Sequence, residues 1–221
     1  MENKMNNDQL KQKNLLLFLR DFNLTVGQQL LFKNFSLDVF EDEIIGFFAP
    51  TGTGKSSLFN HIANISQKSI SYVFQEPRLI PSLTVLKNVM LPLENKMEVK
   101  AARALAITWL EKLNMEHKKD ELAKSLSGGE QQRTAIARAF AYACPLPELR
   151  ESVQGAVEGK KLLLLDEPFA SQDETNTQNI VNLIKDLVGK QHCACLVISH
   201  NLQVLQGLCT RIITQKDFCL E

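Results

Sequence analysis

The chain has 221 residues, 44% hydrophobic and 23% charged, enough to bury one sizeable core and too few for several domains. Its 25 basic and 25 acidic residues cancel, so no bulk field draws it to nucleic acid or to anionic lipid. Five cysteines, an odd number, with only Cys193 and Cys195 closely spaced, read as reduced thiols of a cytosolic protein rather than a disulfide framework or a metal site.

Residues 1–14 are rich in Asn, Gln and Lys and read as a flexible tail, and the apolar run at 15–19 is too short for a signal peptide or a membrane span. Strands are expected at about 15–21 and 35–41, the second alternating through Phe35, Leu37 and Val39, as an antiparallel flap. A short apolar strand then runs through Ile44 to Phe48. It ends in Ala49-Pro50-Thr51-Gly52-Thr53-Gly54-Lys55-Ser56-Ser57 and a helix at about 55–65. Glycines in such a turn let successive backbone N–H groups converge at a helix N-terminus, where phosphate is held by the amides and the dipole. In this reading Pro50 to Ser57 cradle a nucleotide, Lys55 reaches the terminal phosphates and the Ser56 hydroxyl ligates Mg²⁺.

After the helix come a brief strand at about 70–74, Gln75-Glu76-Pro77-Arg78, and prolines at 77, 81 and 92 that break the chain around a short helix at about 84–90. The spacing of Ala101, Leu105, Ile107, Trp109, Leu110 and Leu113 predicts an amphipathic helix over about 98–115, with Trp109 in the core. Leu126-Ser127-Gly128-Gly129-Glu130-Gln131-Gln132-Arg133 opens an alanine-rich helix to about residue 143, a second anion-binding helix start. Residues 144–160, with two prolines and two glycines, read as an inserted loop. Leu162 to Leu165 form an apolar strand that delivers Asp166 and Glu167 at its C-terminal end, where α/β sheets place ligands. Ala170 to Asp173 cap a helix at about 174–189, and a strand at about 195–199 ends at His200.

These stretches, in this order, resemble the motifs of ATP-binding-cassette ATPases, and the likeness spans about residues 15–214. It implies an α/β P-loop NTPase fold with a mostly parallel central sheet, an antiparallel flap and a helical subdomain at about 75–125, within one domain over 15–221. It implies Mg²⁺ and ATP as cofactors, with Asp166, Ser56 and Gln75 toward the metal. Glu167 would be the catalytic base, and His200 and Gln75 would sense and position the reacting groups. Ser127, Gly128, Gly129 and Glu130 would bind the nucleotide of a second chain, and residues 170–173 would touch that chain. The implied partners are a second cassette, in a homodimer, and a transmembrane permease, with a solute-binding protein if the system imports. Leu79, Ile80, Leu83 and Leu86 are expected to form the permease socket, on the cytoplasmic face of the membrane.

Residues 74–81 and 166–171 are most like importers of nitrate, sulfonate, taurine or pyrimidine-type solutes, whereas 82–89 and 126–133 are as similar to the lipoprotein-release and macrolide-export group. A regulatory module that binds nucleotide without hydrolysing it is the remaining alternative. Three departures stand out. Ala49 replaces the first glycine of the cradle pattern. Val26 stands where the family has an aromatic to stack on adenine, so a neighbour such as Phe22 is expected to help hold the base. Only 20 residues separate Lys55 from Gln75, so part of the flap is expected to be missing.

Overall fold

The computed structural model describes residues 14–66, 70–143 and 162–217. The N-terminal tail, apart from Asn14, and the insertion at 144–160 lie outside the described residues. Five strands, β3 (Ile44–Phe48), β4 (Ile70–Val73), β5 (Leu162–Asp166), β6 (Ala194–Ile198) and β7 (Arg211–Thr214), form a parallel sheet in the order β4-β5-β6-β3-β7. A two-stranded antiparallel flap is built from β1 (Leu15–Val26) and β2 (Gln29–Phe40).

Strand alternation explains how one sheet serves two cores. Leu163 and Leu165 of β5, with Cys195 and Val197 of β6, face a cluster supplied by α2 (Val85–Met90), α3 (Val99–Lys112), α4 (Gly128–Ala143), α5 (Glu174–Gln191) and α6 (Leu202–Leu208). Leu162, Leu164, Leu196 and Ile198 face the opposite way. They meet Leu58, Phe59 and Ile62 of α1 (Lys55–Ile65) and the buried side of the flap, including Phe32, Leu37 and Val39. Helix α1 is therefore clamped between flap and sheet, and its first turn is fixed from both sides.

The helical stretch α2–α3 shares the first cluster with α4: Trp109 meets Phe140 edge-on at 5.3 Å between ring centroids. Trp109 is core, as its spacing predicts. The apolar residues expected to form a socket divide differently. Leu86 is buried in the same core and Leu79 packs against it, leaving Ile80 as the exposed large apolar side chain among the four, so the expected socket is corrected to a much smaller apolar surface. Helical geometry is the reason, because Leu86 lies on the same face of α2 as Val85 and Val89.

One fully buried amide organises this loop. Asn88 Oδ1 accepts from Ile80 N–H at 2.7 Å, and its Nδ2 donates to the carbonyls of Ile80 and Thr84, each at 3.1 Å. Replacing Asn88 by Ala strands buried backbone groups, so the folded state is expected to lose about 2 kcal/mol. Urea unfolding of the variant is expected to show a lowered midpoint at unchanged slope; an unshifted midpoint would refute this role.

The structure lengthens the flap strands relative to the sequence expectation and adds two elements, α6 and β7, that the sequence reading does not contain. No third flap strand follows α1 among the described residues.

Candidate functional site

Four strand ends converge on one cleft. The loop after β3 supplies Thr51, Gly52 and Gly54, and α1 supplies Lys55, Ser56 and Ser57. Gln75 follows β4, Asp166 ends β5 with Glu167 after it, and His200 follows β6. The cleft is about 320 Å³ and lies at the C-terminal ends of the parallel strands, where such sheets place ligands.

The cradle has the backbone that its glycines predict. Gly52 and Gly54 have φ of 85° and 89°, and a side chain at Gly54 would come within 2.7 Å of Leu31 Cδ1. Only glycine meets both demands there. Ala49 does not have positive φ, so its methyl group, buried in the core under the flap, costs no backbone strain. Lys55 is buried, its Nζ donating to the carbonyls of Ala49 at 2.6 Å and Pro50 at 2.7 Å. The Pro50 carbonyl also accepts from the Thr53 hydroxyl at 2.9 Å. Pro50 and Thr53 thus shape the loop rather than line the cleft.

The carboxylates sit opposite that lysine. Burial pushes the Asp166 carboxyl above its ordinary value, opposed by a hydrogen bond from the Ser56 hydroxyl and by the charge of Lys55. Burial also raises Glu167, opposed chiefly by His200. Glu167 has φ of 50° and Oε1 is buried with no hydrogen bond, 3.3 Å from His200 Nε2. His200 Nε2 is also 3.5 Å from the Thr51 hydroxyl. A left-handed glutamate whose buried Oε1 has the His200 imidazole beside it is a costly arrangement, of the kind that gathers at functional sites.

These groups fit Mg²⁺ and a polyphosphate. A hard cation takes oxygen donors, and Ser56 and Asp166 provide a hydroxyl and a carboxylate already in contact. Negative phosphate matches the start of α1, the Lys55 ammonium and the glycine-rich loop.

Because the native state holds the Asp166 proton more tightly than the unfolded chain, stability contributed by this group falls as pH rises through the window above the ordinary value of 3.8. Asp166→Asn, which keeps the shape without the buried charge, is therefore expected to raise the thermal midpoint of the nucleotide-free protein at pH 7.5. The gain should shrink in acid, and a lowered midpoint at pH 7.5 would contradict it.

Ser127, Gly128, Gly129 and Glu130 are not brought to this cleft. Glu130 accepts from the Ser127 N–H at 2.8 Å and hydroxyl at 2.9 Å, a capping box that holds its carboxyl below the usual range. A side chain at Gly129 would come within 2.5 Å of the Ser171 carbonyl, so the 170–173 loop lies directly against this helix start. Asp173 also caps α5, accepting from Asn176 N–H at 2.7 Å.

Several contacts that support the site join segments far apart in the sequence. Gln132 donates to the Glu167 carbonyl at 3.3 Å, Gln172 bridges Arg133 and the Gly129 carbonyl, and Arg138 grips the carbonyls of Pro77 and Arg78 just after Gln75. All act through packing across distant segments. Phe22 is a correction: it packs on His61 of α1 at 4.5 Å and does not line the cleft. The register of β1 explains it, since Phe22 pairs with Phe35 on the buried side. The cleft wall on the flap side is Val26, Gln29 and Leu31.

Comparison with known proteins points to one family. A family model described as ABC transporter matches residues 63–147. The aliphatic sulfonates import ATP-binding protein SsuB 2 of Paraburkholderia xenovorans is 30% identical over 213 residues, covering 92% of this chain and 78% of that protein. SsuB 1 of Pseudomonas syringae pv. tomato is 32% identical over 208 residues, covering 90% and 70%. Among solved structures, a dimeric bacterial ABC transporter cassette matches at TM-score 0.73 and 27% identity, covering 89% of this chain and 93% of that one. A post-hydrolysis dimer of an ATP-binding cassette with ADP and Pi matches at the same TM-score and identity, covering 90% and 94%.

Proposed function

The chain belongs to the ABC transporter ATP-binding family, and from that premise we propose that it powers import of an aliphatic sulfonate or a similar small organic anion. It is an ATPase that works with Mg²⁺, with a second cassette, and with a transmembrane permease and solute-binding protein. Among the described residues no helix is long and apolar enough to cross a membrane. In this reading the chain works at the cytoplasmic face, attached through the permease.

The observation that carries the reading is the convergence of Lys55, Ser56, Asp166, Glu167 and His200 on one cleft. Lys55 draws the β- and γ-phosphates while the amides of 52–57 hold their oxygens. Ser56, Asp166 and Gln75 would hold Mg²⁺, which would supply charge neutralisation at the phosphates. Glu167 accepts the proton of the attacking water, a role suited to a raised carboxyl whose Oε1 is unsatisfied. His200, half exposed, faces Glu167 Oε1 at 3.3 Å and opposes the upward push of burial on that carboxyl. Ser127, Gly128, Gly129 and Glu130 present a helix start to the nucleotide of the second chain. The helical stretch 75–125 carries the permease contact, around Ile80.

The test is reconstitution of the chain with its permease and binding protein in proteoliposomes. ATP hydrolysis is expected to rise several-fold when an aliphatic sulfonate is added on the binding-protein side. A system that ignores sulfonates and responds to methionine, the solute in the name of a Clostridioides difficile relative at 27% identity, would overturn the anion assignment.

A further inference from the structure

Helix α4 runs from the 127–130 segment to the edge strand β4, where the Ser71 hydroxyl donates to the Ala139 carbonyl at 2.7 Å. Two of its side chains hold backbone beside residues of the cleft. Gln132, only 2% exposed, donates through Nε2 to the Glu167 carbonyl at 3.3 Å. Arg138 donates through both terminal nitrogens, to the Pro77 carbonyl at 2.8 Å and the Arg78 carbonyl at 2.9 Å, in the loop that follows Gln75. The two gripped segments share an unusual backbone. Glu167 has φ of 50° and Arg78 has φ of 48°, a left-handed region that such residues keep only where their surroundings over-determine it. Around Glu167 the other holds are its own N–H on the Ile198 carbonyl at 3.0 Å and the Ala170 N–H on its carbonyl at 3.2 Å. Around Gln75 the other hold is the Arg78 guanidinium, 3.7 Å over the Phe74 ring, which closes the loop across the glutamine.

We propose that Gln132 and Arg138 are positioning residues, through which α4 acts as a strut that holds Glu167 and Gln75 in register with its own start. Neither side chain lines the cleft, so each acts through the backbone it grips. Without the Gln132 donor, Glu167 is freer to relax toward ordinary φ. That rotation turns its Cα–Cβ bond and carries the carboxylate from its place 3.3 Å from His200 Nε2. The planar fork of Arg138 matches two successive carbonyls, and a lysine, as a point charge on a flexible stem, does not reproduce it. The helix whose start faces the second chain's nucleotide thereby also sets the base and the metal-side amide of its own cleft. This deepens the ATPase reading above and rests on it.

The experiment measures ATP turnover by the chain reconstituted with its permease and binding protein, and nucleotide binding by the full chain. Gln132→Leu, which keeps the volume and removes the donor, is expected to lower kcat about tenfold while ATP affinity and thermal midpoint stay near the parental values. Added to Glu167→Gln, the same substitution is expected to change the residual rate less than about twofold, because no base is left to misplace. Gln132→Glu, which turns an acceptor toward the Glu167 carbonyl, is a second variant expected to lose kcat in the same way. Arg138→Lys keeps the charge and loses the fork. In the Glu167→Gln background it is expected to raise several-fold the Mg²⁺ concentration that half-saturates Mg²⁺-dependent ATP binding. Equal losses from Gln132→Leu with and without Glu167, parental kcat in both Gln132 variants, or an unchanged Mg²⁺ requirement in Arg138→Lys would overturn the strut. Parental turnover by Glu167→Gln alone would instead fault the base assignment on which the proposal rests.

Discussion

Glu167→Gln is expected to bind ATP as tightly as the parent chain and to hydrolyse it at least about 100-fold more slowly. The substitution keeps the length and planarity of the side chain, so the φ of 50° and the hydrogen bonds of its backbone to Ile198 and Gln132 need not change. What disappears is the ability to take a proton. The amide also removes the charge that faces His200 at 3.3 Å, so the imidazole loses its partner. Single-turnover hydrolysis separates the effects: ATP stays bound and uncleaved if Glu167 is the base. A variant that cleaves ATP at the parental rate would show that the base lies elsewhere.

Lys55→Ala should fail at the earlier step. Its ammonium is buried, satisfied in the free protein by the Ala49 and Pro50 carbonyls, and therefore already positioned above the loop. Truncation removes the positive charge from a site suited to anions and takes the ammonium donor from the Ala49 carbonyl, while the Pro50 carbonyl keeps the Thr53 hydroxyl. Losing one partner of a buried charged pair costs about 2–5 kcal/mol, so ATP affinity is expected to fall thirty-fold or more. Equilibrium titration with a fluorescent ATP analogue reads this directly, and near-parental affinity would remove Lys55 from the phosphate site. In the proposed mechanism the two variants thus divide binding from chemistry.

Much of the site was legible because its chemistry is written in contiguous residues. The turn at 49–57 and the strand ending in Asp166 and Glu167 each combine a buried apolar run with residues such a run does not otherwise carry. Helix α1 and strand β5 run over the expected spans for that reason. The flap was less legible. Its strands are broken by Asp21 and Asn34 at positive φ, with register shifts around Phe22, which destroy the two-residue alternation on which a strand is recognised. Helix α6 and strand β7 are seven and four residues long, too short for periodicity to announce them. Leu86 was misplaced because an apolar residue among prolines looks exposed until α2 turns it inward. Gln29 enters the cleft only through hairpin closure at Gly27, and Gln132, Gln172 and Arg138 only through tertiary packing.

We propose that this cleft is half of a catalytic site, completed by the 127–130 segment of a second chain. Within one chain that segment is held against Ser171 and Gln172 and none of it lines the cleft, although its exposed serine opens a helix suited to an anion. The most direct measurement is the mass of Glu167→Gln protein by size exclusion with light scattering, with and without Mg-ATP. The account predicts a monomer without nucleotide and a dimer with it, and adding Ser127→Arg should abolish the dimer while each monomer still binds ATP. A doubly substituted protein that still dimerises with ATP would contradict it.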